Sequence, residues 1–393
     1  MKYTPKEELG RRVARLQGLM RRGGIEGAVI VQNADLFYFA GTIQRSHLFI
    51  PADGKPVLMV KKSFPRAREE SALDEVIPLD NLKDLPAVIG SYGDKNMRVI
   101  GFELDVLPAA LYLKYQKLFA PAKITDIGQL IRTVRMVKSP YEIELLKGAA
   151  DLNHAMFSRV KDFLREGITE VELAGNLEAV YRRHGHQGYV RMRGFNQEIV
   201  YGHLMSGVSL AVPSFLDSPE GGPGLNPSFP QGAGMKKIAR NEPVMVDYVG
   251  VYDGYMVDQA RIFCLGRLPD KFVRAYEAVI NIQEEIKRRA RPGVLCDELY
   301  NCAVKMASEA GLKDHFMGHP DPAPFIGHGL GIELDELPVL ARGFEIPLEE
   351  GMVFALEPKF VFPEGEVGIE NTFVIRETGA EALTVFDENI IYL

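Results

Sequence analysis

The sequence predicts an α/β N-terminal domain over residues 1–135. An α+β C-terminal domain over 136–393 follows, built on a pseudo-twofold antiparallel sheet. Three observations lead there. Strand-like and helical patterns alternate up to about residue 135. Two apolar hairpins in the C-terminal part each lie close to a long helical pattern, like halves of one barrel-like sheet. The length, 393 residues, suits two domains with buried cores.

Leu9, Val13, Leu16, Leu19 and Met20 recur at helical spacing over 6–22, ending at Gly23-Gly24. Strand-like runs follow at 27–31 and 36–39, then at 47–50 and 57–60 joined through Asp53-Gly54, and at 98–102. Pro140 sits at the start of a helix expected over about 141–165, just past the join between the domains. Thr169-Glu-Val-Glu172 reads as a capping box for the next helix, and 268–289 and 295–310 read as two more.

The two hairpins carry the chemistry. In the first, residues 243–247 run into Tyr252-Asp253-Gly254 and return through 255–258. In the second, residues 352–357 run into Pro363-Glu364-Gly365 and return through 367–370. Turns centred on Tyr252-Asp253 and Pro363-Glu364 put Asp247 opposite Asp258 and Glu357 opposite Glu370. Like charges directly opposed on an antiparallel pair repel, and apolar surroundings raise the cost. A cation resolves it. Between the hairpins, His328 is flanked by Gly327 and Gly329, which leave room for a bulky ligand. Four carboxylates and one imidazole form a hard donor set suited to two divalent ions, manganese first, with cobalt, iron or zinc as alternatives. Taken singly, an acid beside a turn is an ordinary solvated residue and a Gly-His-Gly an ordinary loop. The mirrored arrangement sets these apart.

Val246-Asp247, Asp253-Gly254-Tyr255 and Asp258-Gln-Ala-Arg261 together resemble the first metal motif of the pita-bread metallopeptidases, the superfamily of aminopeptidase P, prolidase, methionine aminopeptidase and creatinase. Gly327-His328-Gly329-Leu-Gly331, Leu356-Glu357-Pro358 and Gly368-Ile-Glu370-Asn-Thr372 resemble its later motifs in the same order. Arg132-Thr-Val-Arg135-Met-Val-Lys138-Ser139 resembles the opening of the catalytic domain in aminopeptidase P and prolidase. The resemblance implies a pita-bread catalytic domain behind a creatinase/prolidase-type N-terminal domain, and a homodimer. It implies Asp247, Asp258, His328, Glu357 and Glu370 as metal ligands, with Glu357 also the catalytic base.

Departures from the pattern lie around the substrate. Asp335 stands where these peptidases carry a second histidine, and an ionised carboxylate donates no hydrogen bond. No histidine follows Ser206-Gly207 in Val-Ser-Leu-Ala-Val-Pro213-Ser214. Ala260 replaces the usual threonine and Asn371 the common aspartate. Residues 213–234 hold five prolines and five glycines, a long loop able to wall the metal cleft. Arg191 and Arg193 share one face if their segment is a strand, where they suit a substrate carboxylate or phosphate; otherwise they pair with acids such as Asp335 or Glu336.

A net charge of −7 without a basic block argues against nucleic acid or an anionic membrane as partner. No apolar run reaches the length of a membrane span, and the N-terminus lacks a signal core. Cys264, Cys296 and Cys302 have no framework spacing and read as reduced thiols of a cytoplasmic protein. The expected function is hydrolysis of small peptides, in the manner of an Xaa-Pro aminopeptidase or dipeptidase, by water bridging two metal ions. The alternative is a non-peptidase metalloenzyme of the same fold acting on a small amide, amidine or sulfonium-type compound. A silent binding module has no reason to keep five ligands.

Overall fold

Leu9, Val13, Leu16 and Met20 form the buried stripe of α1 (Lys6–Arg22). The computed structural model describes residues 2–393, which divide into two units on either side of the Arg135–Met136 bond. The first continues with β1 (Gly27–Ile30), α2 (Asn33–Ala40), β2 (Ser46–Pro51), β3 (Val57–Val60), α3 (Phe64–Glu70), β4 (Glu75–Pro78), α4 (Leu85–Tyr92), β5 (Val99–Phe102), α5 (Ala109–Phe119), β6 (Lys123–Asp126) and α6 (Gly128–Met136). Its strands form one mixed sheet in the order β4-β3-β2-β1-β5-β6. The strand expected at 36–39 is instead part of α2. The Gln32 side chain accepts a hydrogen bond from the Asp35 amide at the start, and Gly41 closes the helix at φ 75°. A short apolar run does not reveal its own period; the caps decided it.

His47 on β2 is buried and hydrogen-bonds the Tyr115 hydroxyl through Nε2 at 2.8 Å. Burial, then Lys61 and Arg45, push its imidazole down from 6.5 to about 4. The unfolded chain therefore takes up this proton first as pH falls. The His47 contribution to stability is whole above about pH 6.5 and is lost, by up to roughly 3 kcal/mol, as the pH drops to about 4. Urea melts across that window will show a shallower pH dependence in His47→Gln, which still bonds the hydroxyl and cannot protonate. Parallel curves for the two proteins would count against this.

The second unit opens with α7 (Pro140–Phe157). Ser139 accepts from the Glu142 amide and Glu142 accepts from the Ser139 amide, a full capping box with Pro140 in the first turn. The helix expected to run to 165 stops at Phe157. A short α8 (Val160–Phe163) follows, and Val160 and Leu164 stay buried in the same cluster, which sustained the apolar pattern. At α9 (Glu170–Arg183) Thr169 accepts from the Glu172 amide, but the Glu172 carboxylate pairs with Arg165 at 2.9 Å, so only half of the expected capping box forms.

Then come β7 (Gly202–Ser206), β8 (Val244–Tyr252), β9 (Tyr255–Cys264), α10 (Asp270–Arg289), α11 (Cys296–Glu309), β10 (Phe325–Gly329), β11 (Glu336–Ala341), β12 (Val353–Leu356), β13 (Lys359–Phe362), β14 (Gly365–Gly368), β15 (Asn371–Arg376), β16 (Gly379–Ala382) and β17 (Ile391–Tyr392). One sheet has the order β17-β9-β8-β7, the other β11-β10-β12-β15-β16, with β13-β14 as a separate ribbon. Val244, Val246 and Tyr248 pack under α7 and α9 with Leu152, Leu173, Leu177 and Tyr181. Ile326, Leu340, Phe354, Phe373 and Ile375 pack under α10 and α11 with Val279, Ile282, Ile286, Leu299 and Ala303. Each half-sheet thus has one face covered by helices, and the opposite faces are left to build the site.

Candidate metal centre

Strand alternation places the acids. In β8 the residues at 244, 246 and 248 face the helices, so Asp247 faces the other way. The hairpin turn is centred on Asp253-Gly254, with Tyr252 paired to Tyr255. Both turn residues have positive φ, 44° and 86°, the backbone of a type I′ turn. The register therefore differs by two residues from the one expected. Asp247 pairs with Ala260, and Asp258 pairs with Val249. A two-residue shift preserves the face, so the two aspartates remain diagonal neighbours on the same side. In the second hairpin Phe362 pairs with Gly365 and Lys359 with Gly368, the register that sets Glu357 against Glu370. Ala260 also bridges Glu370, with N–H···O bonds of 3.2 and 3.3 Å, and so stitches the second hairpin to the first. His328 arrives on β10, paired with Ala355, and the Glu357 amide donates to the Ile326 carbonyl.

Asp247, Asp258, His328, Glu357 and Glu370 are all buried and all line one cleft. Asp258, His328 and Glu370 each offer a ligand atom, and the three atoms lie within 4.8 Å of one another. His328 Nδ1 lies 2.9 Å from the Leu334 carbonyl, so it carries the hydrogen and donates. Nε2 faces the acids, 3.6 Å from Glu357 Oε1 and 3.8 Å from Glu370 Oε1. Against burial, Glu370, Asp335 and Glu357 hold the imidazole well above its ordinary value, so Nε2 is the nitrogen that would give up its proton to a cation. Glu370 Oε1 is buried without a hydrogen-bond partner, a costly state for a carboxylate oxygen unless a cation faces it.

Lys359 reaches into the other side of the cluster. Its ammonium lies 2.8 Å from Asp247 Oδ2, 2.8 Å from Glu220 Oε1, 3.1 Å from Glu357 Oε2 and 3.5 Å from Glu370 Oε2. Burial works to raise the Asp247 carboxyl, and Lys359 overrides it, holding it down at about 2. Away from the ammonium the balance reverses. Burial, then the neighbouring Glu370 and Asp247 charges, raise Asp258 well above the carboxylate range; burial, then Glu357 and Asp247, push Glu370 up to about 7. Burial also lifts Glu366 to about 8 and Glu220 well above its ordinary value. Negative charge is thus compensated around Lys359 and in excess around Asp258 and Glu370.

The residues expected to handle substrate divide. Asp335 lines the cleft, with Oδ1 3.3 Å from His328 Nδ1. Arg191 and Arg193 do not line it. Their segment is a loop, so strand alternation does not apply. Arg193 pairs with Glu333 at 3.6 Å and Arg191 lies over the Tyr189 ring, while Met192 between them faces the cleft. The 213–234 loop contributes Leu216, Asp217, Ser218 and Glu220 to the wall. Three residues went unforeseen. Lys359, two positions after Glu357, is where period-two alternation puts the same face, a signal the sequence did carry. Glu220 and His203 had none. His203 pairs with Asp247 across β7 and β8, and its Nε2 lies 3.0 Å from Gln231 Oε1.

A family model described as metallopeptidase family M24 matches residues 144–377, more than half of the chain. The chain belongs to metallopeptidase family M24. A second model, creatinase/prolidase N-terminal domain, matches residues 12–137. Among relatives of this M24 protein, an Xaa-Pro dipeptidase of Pyrococcus furiosus is 25% identical over 384 residues, 97% of this chain and 99% of the relative. A putative dipeptidase of Bacillus subtilis is 26% identical, covering 97% and 99%. Among solved structures, an Xaa-Pro dipeptidase from Bacillus anthracis superposes with a TM-score of 0.85 at 23% identity, covering 98% of this chain and all of that one. The prolidase from Pyrococcus horikoshii gives 0.81 at 23%, covering 97% and 100%. The second unit accordingly has the pita-bread fold, and the enzyme is a metallopeptidase.

Family M24 implies divalent metal ions, and the residues present fit one of them. Asp258, His328 and Glu370 converge, the histidine tautomer is right, and a buried oxygen of Glu370 lacks a partner. They do not fit a second: Asp247 Oδ2 and Glu357 Oε2 are taken by the Lys359 ammonium.

Proposed function

We propose that this M24 enzyme hydrolyses small peptides at an Xaa-Pro bond, using one divalent ion held by Asp258, His328 and Glu370. The convergence of those three donors on the floor of an open cleft carries the reading. A divalent ion there supplies Lewis acidity toward the scissile carbonyl and lowers the pKa of a water toward neutrality. Its oxygen-rich donors favour manganese over softer ions. Glu357 Oε1, on the His328 side, accepts the proton of the attacking water and returns it to the leaving nitrogen. Lys359 holds the other Glu357 oxygen and fixes the carboxylate in place. The Leu334 carbonyl keeps His328 in the tautomer that presents Nε2 to the ion. Met192, Ile199, Val249, Phe325 and Leu334 form an apolar wall suited to a proline ring and a neighbouring side chain.

One observation favours a second reading, a non-peptidase acting on a small amidine or sulfonium-type cation. Asp217 and Asp335 stand among the cleft's lining residues, and no arginine is among them. A single assay separates the two. Manganese-loaded enzyme is expected to turn over Xaa-Pro dipeptides or tripeptides, and chelation should abolish that activity. Folded, metal-loaded protein that cleaves none of them, while hydrolysing a cationic amide or amidine, would replace the first reading with the second.

A further inference from the structure

We infer that the centre is built for a single divalent ion, and that the Lys359 ammonium stands permanently at the second cation position. The inference rests on the metal-binding half of the proposed function and is independent of the substrate. Glu357 and Glu370 each direct one oxygen toward His328 and the other toward Lys359. They bridge two cationic positions, as carboxylates do between paired metal ions. One position has His328 Nε2 and a buried, unpartnered Glu370 oxygen. The other has an ammonium with three N–H donors among the oxygens of four acids.

The lysine is built in. It is 1% exposed, so its charge has no outlet to water. Its stem runs over Gly368, its partner across the ribbon, where an added Cβ would come within 2.2 Å of Lys359 Cγ; any side chain at 368 would evict it. Glu220, delivered by the 213–234 loop, adds a carboxylate to the ammonium that lies outside the expected ligand set. Asp247 therefore ligates the lysine rather than a metal ion. A second divalent ion would have to displace a buried cation already neutralised by its neighbours, and would meet its repulsion at close range.

Equilibrium dialysis of the full-length protein against manganese(II), read by elemental analysis and electron paramagnetic resonance, tests this directly. The expected result is one equivalent per chain with the spectrum of an isolated ion. Two equivalents with the spectrum of an exchange-coupled pair would overturn the inference, as would none. Lys359→Ala should gain a second ion and the coupled spectrum; a folded variant that stays at one counts against it. Should that variant fail to fold, Asp247→Asn is the gentler probe. It should keep the single ion, and loss of that ion would overturn the assignment of Asp247 to the lysine. One bound ion without any Xaa-Pro cleavage would sink the proposed substrate and leave this inference standing.

Discussion

Glu357→Gln lowers kcat on an Xaa-Pro dipeptide by roughly 10²–10⁴-fold, the usual worth of a positioned general base. The amide matches the carboxylate in size and can still bond Lys359 through its oxygen, but it takes no proton. Asp258, His328 and Glu370 are untouched, so the variant still takes up its ion, and KM changes far less than kcat. Steady-state kinetics on metal-loaded protein, with metal content measured on the same sample, provide the check. A kcat within a few-fold of wild type at full metal occupancy would remove Glu357 from the base role. A parallel loss of metal and activity would make it a ligand first.

The second large effect falls on stability. Arg261 is fully buried and makes five hydrogen bonds. Nε donates to the Asp387 carbonyl, Nη1 to the Ala260 and Glu370 carbonyls, and Nη2 to Asn371 Oδ1 and the Phe386 carbonyl. It ties the C-terminal segment to the seam where Ala260 meets Glu370. Without it the Ala260 and Glu370 carbonyls keep each other's amides and Asn371 Oδ1 keeps the Thr384 hydroxyl, while the Asp387 and Phe386 carbonyls lose their donor. Each acceptor left unpaired costs about 1–3 kcal/mol. Arg261→Met should therefore destabilise the second unit by at least about 2 kcal/mol, a drop in Tm of roughly 4–8 °C or more for a unit of this size. Arg261→Lys should lose most of the same amount, because an ammonium cannot span the planar fork. Calorimetry showing a Tm within about two degrees of wild type would refute this. Asn371 belongs to the same network. Its Nδ2 donates to Gln283 Oε1 and Glu388 Oε1 while its Oδ1 accepts from Arg261. An aspartate could accept but not donate, which gives the departure at 371 a physical reason.

The acids were legible because strand alternation is local. A hairpin's own chain sets which side chains share a face, and a turn displaced by one residue, which shifts the register by two, still leaves Asp247 and Asp258 on the same side. The paired arginines failed for the complementary reason. The shared face holds only for a strand; the segment is a loop, Arg193 pairs with an acid and Arg191 lies over an aromatic ring. The helix at α2 was hidden because its caps, Gln32 and Gly41, lie outside the apolar run that was read.

By itself the sequence determined the two acid-bearing hairpins and the glycine-flanked histidine, features set by neighbours a few residues apart. Only the tertiary structure decided what meets those acids. Ala260 stitches Asp247 to Glu370, the Leu334 carbonyl orients His328, a loop more than a hundred residues upstream sends Glu220 to Lys359, and Lys359 takes the place of a cation. Such contacts join residues far apart in sequence, and their electrostatics exist only after water has been excluded from the space between them.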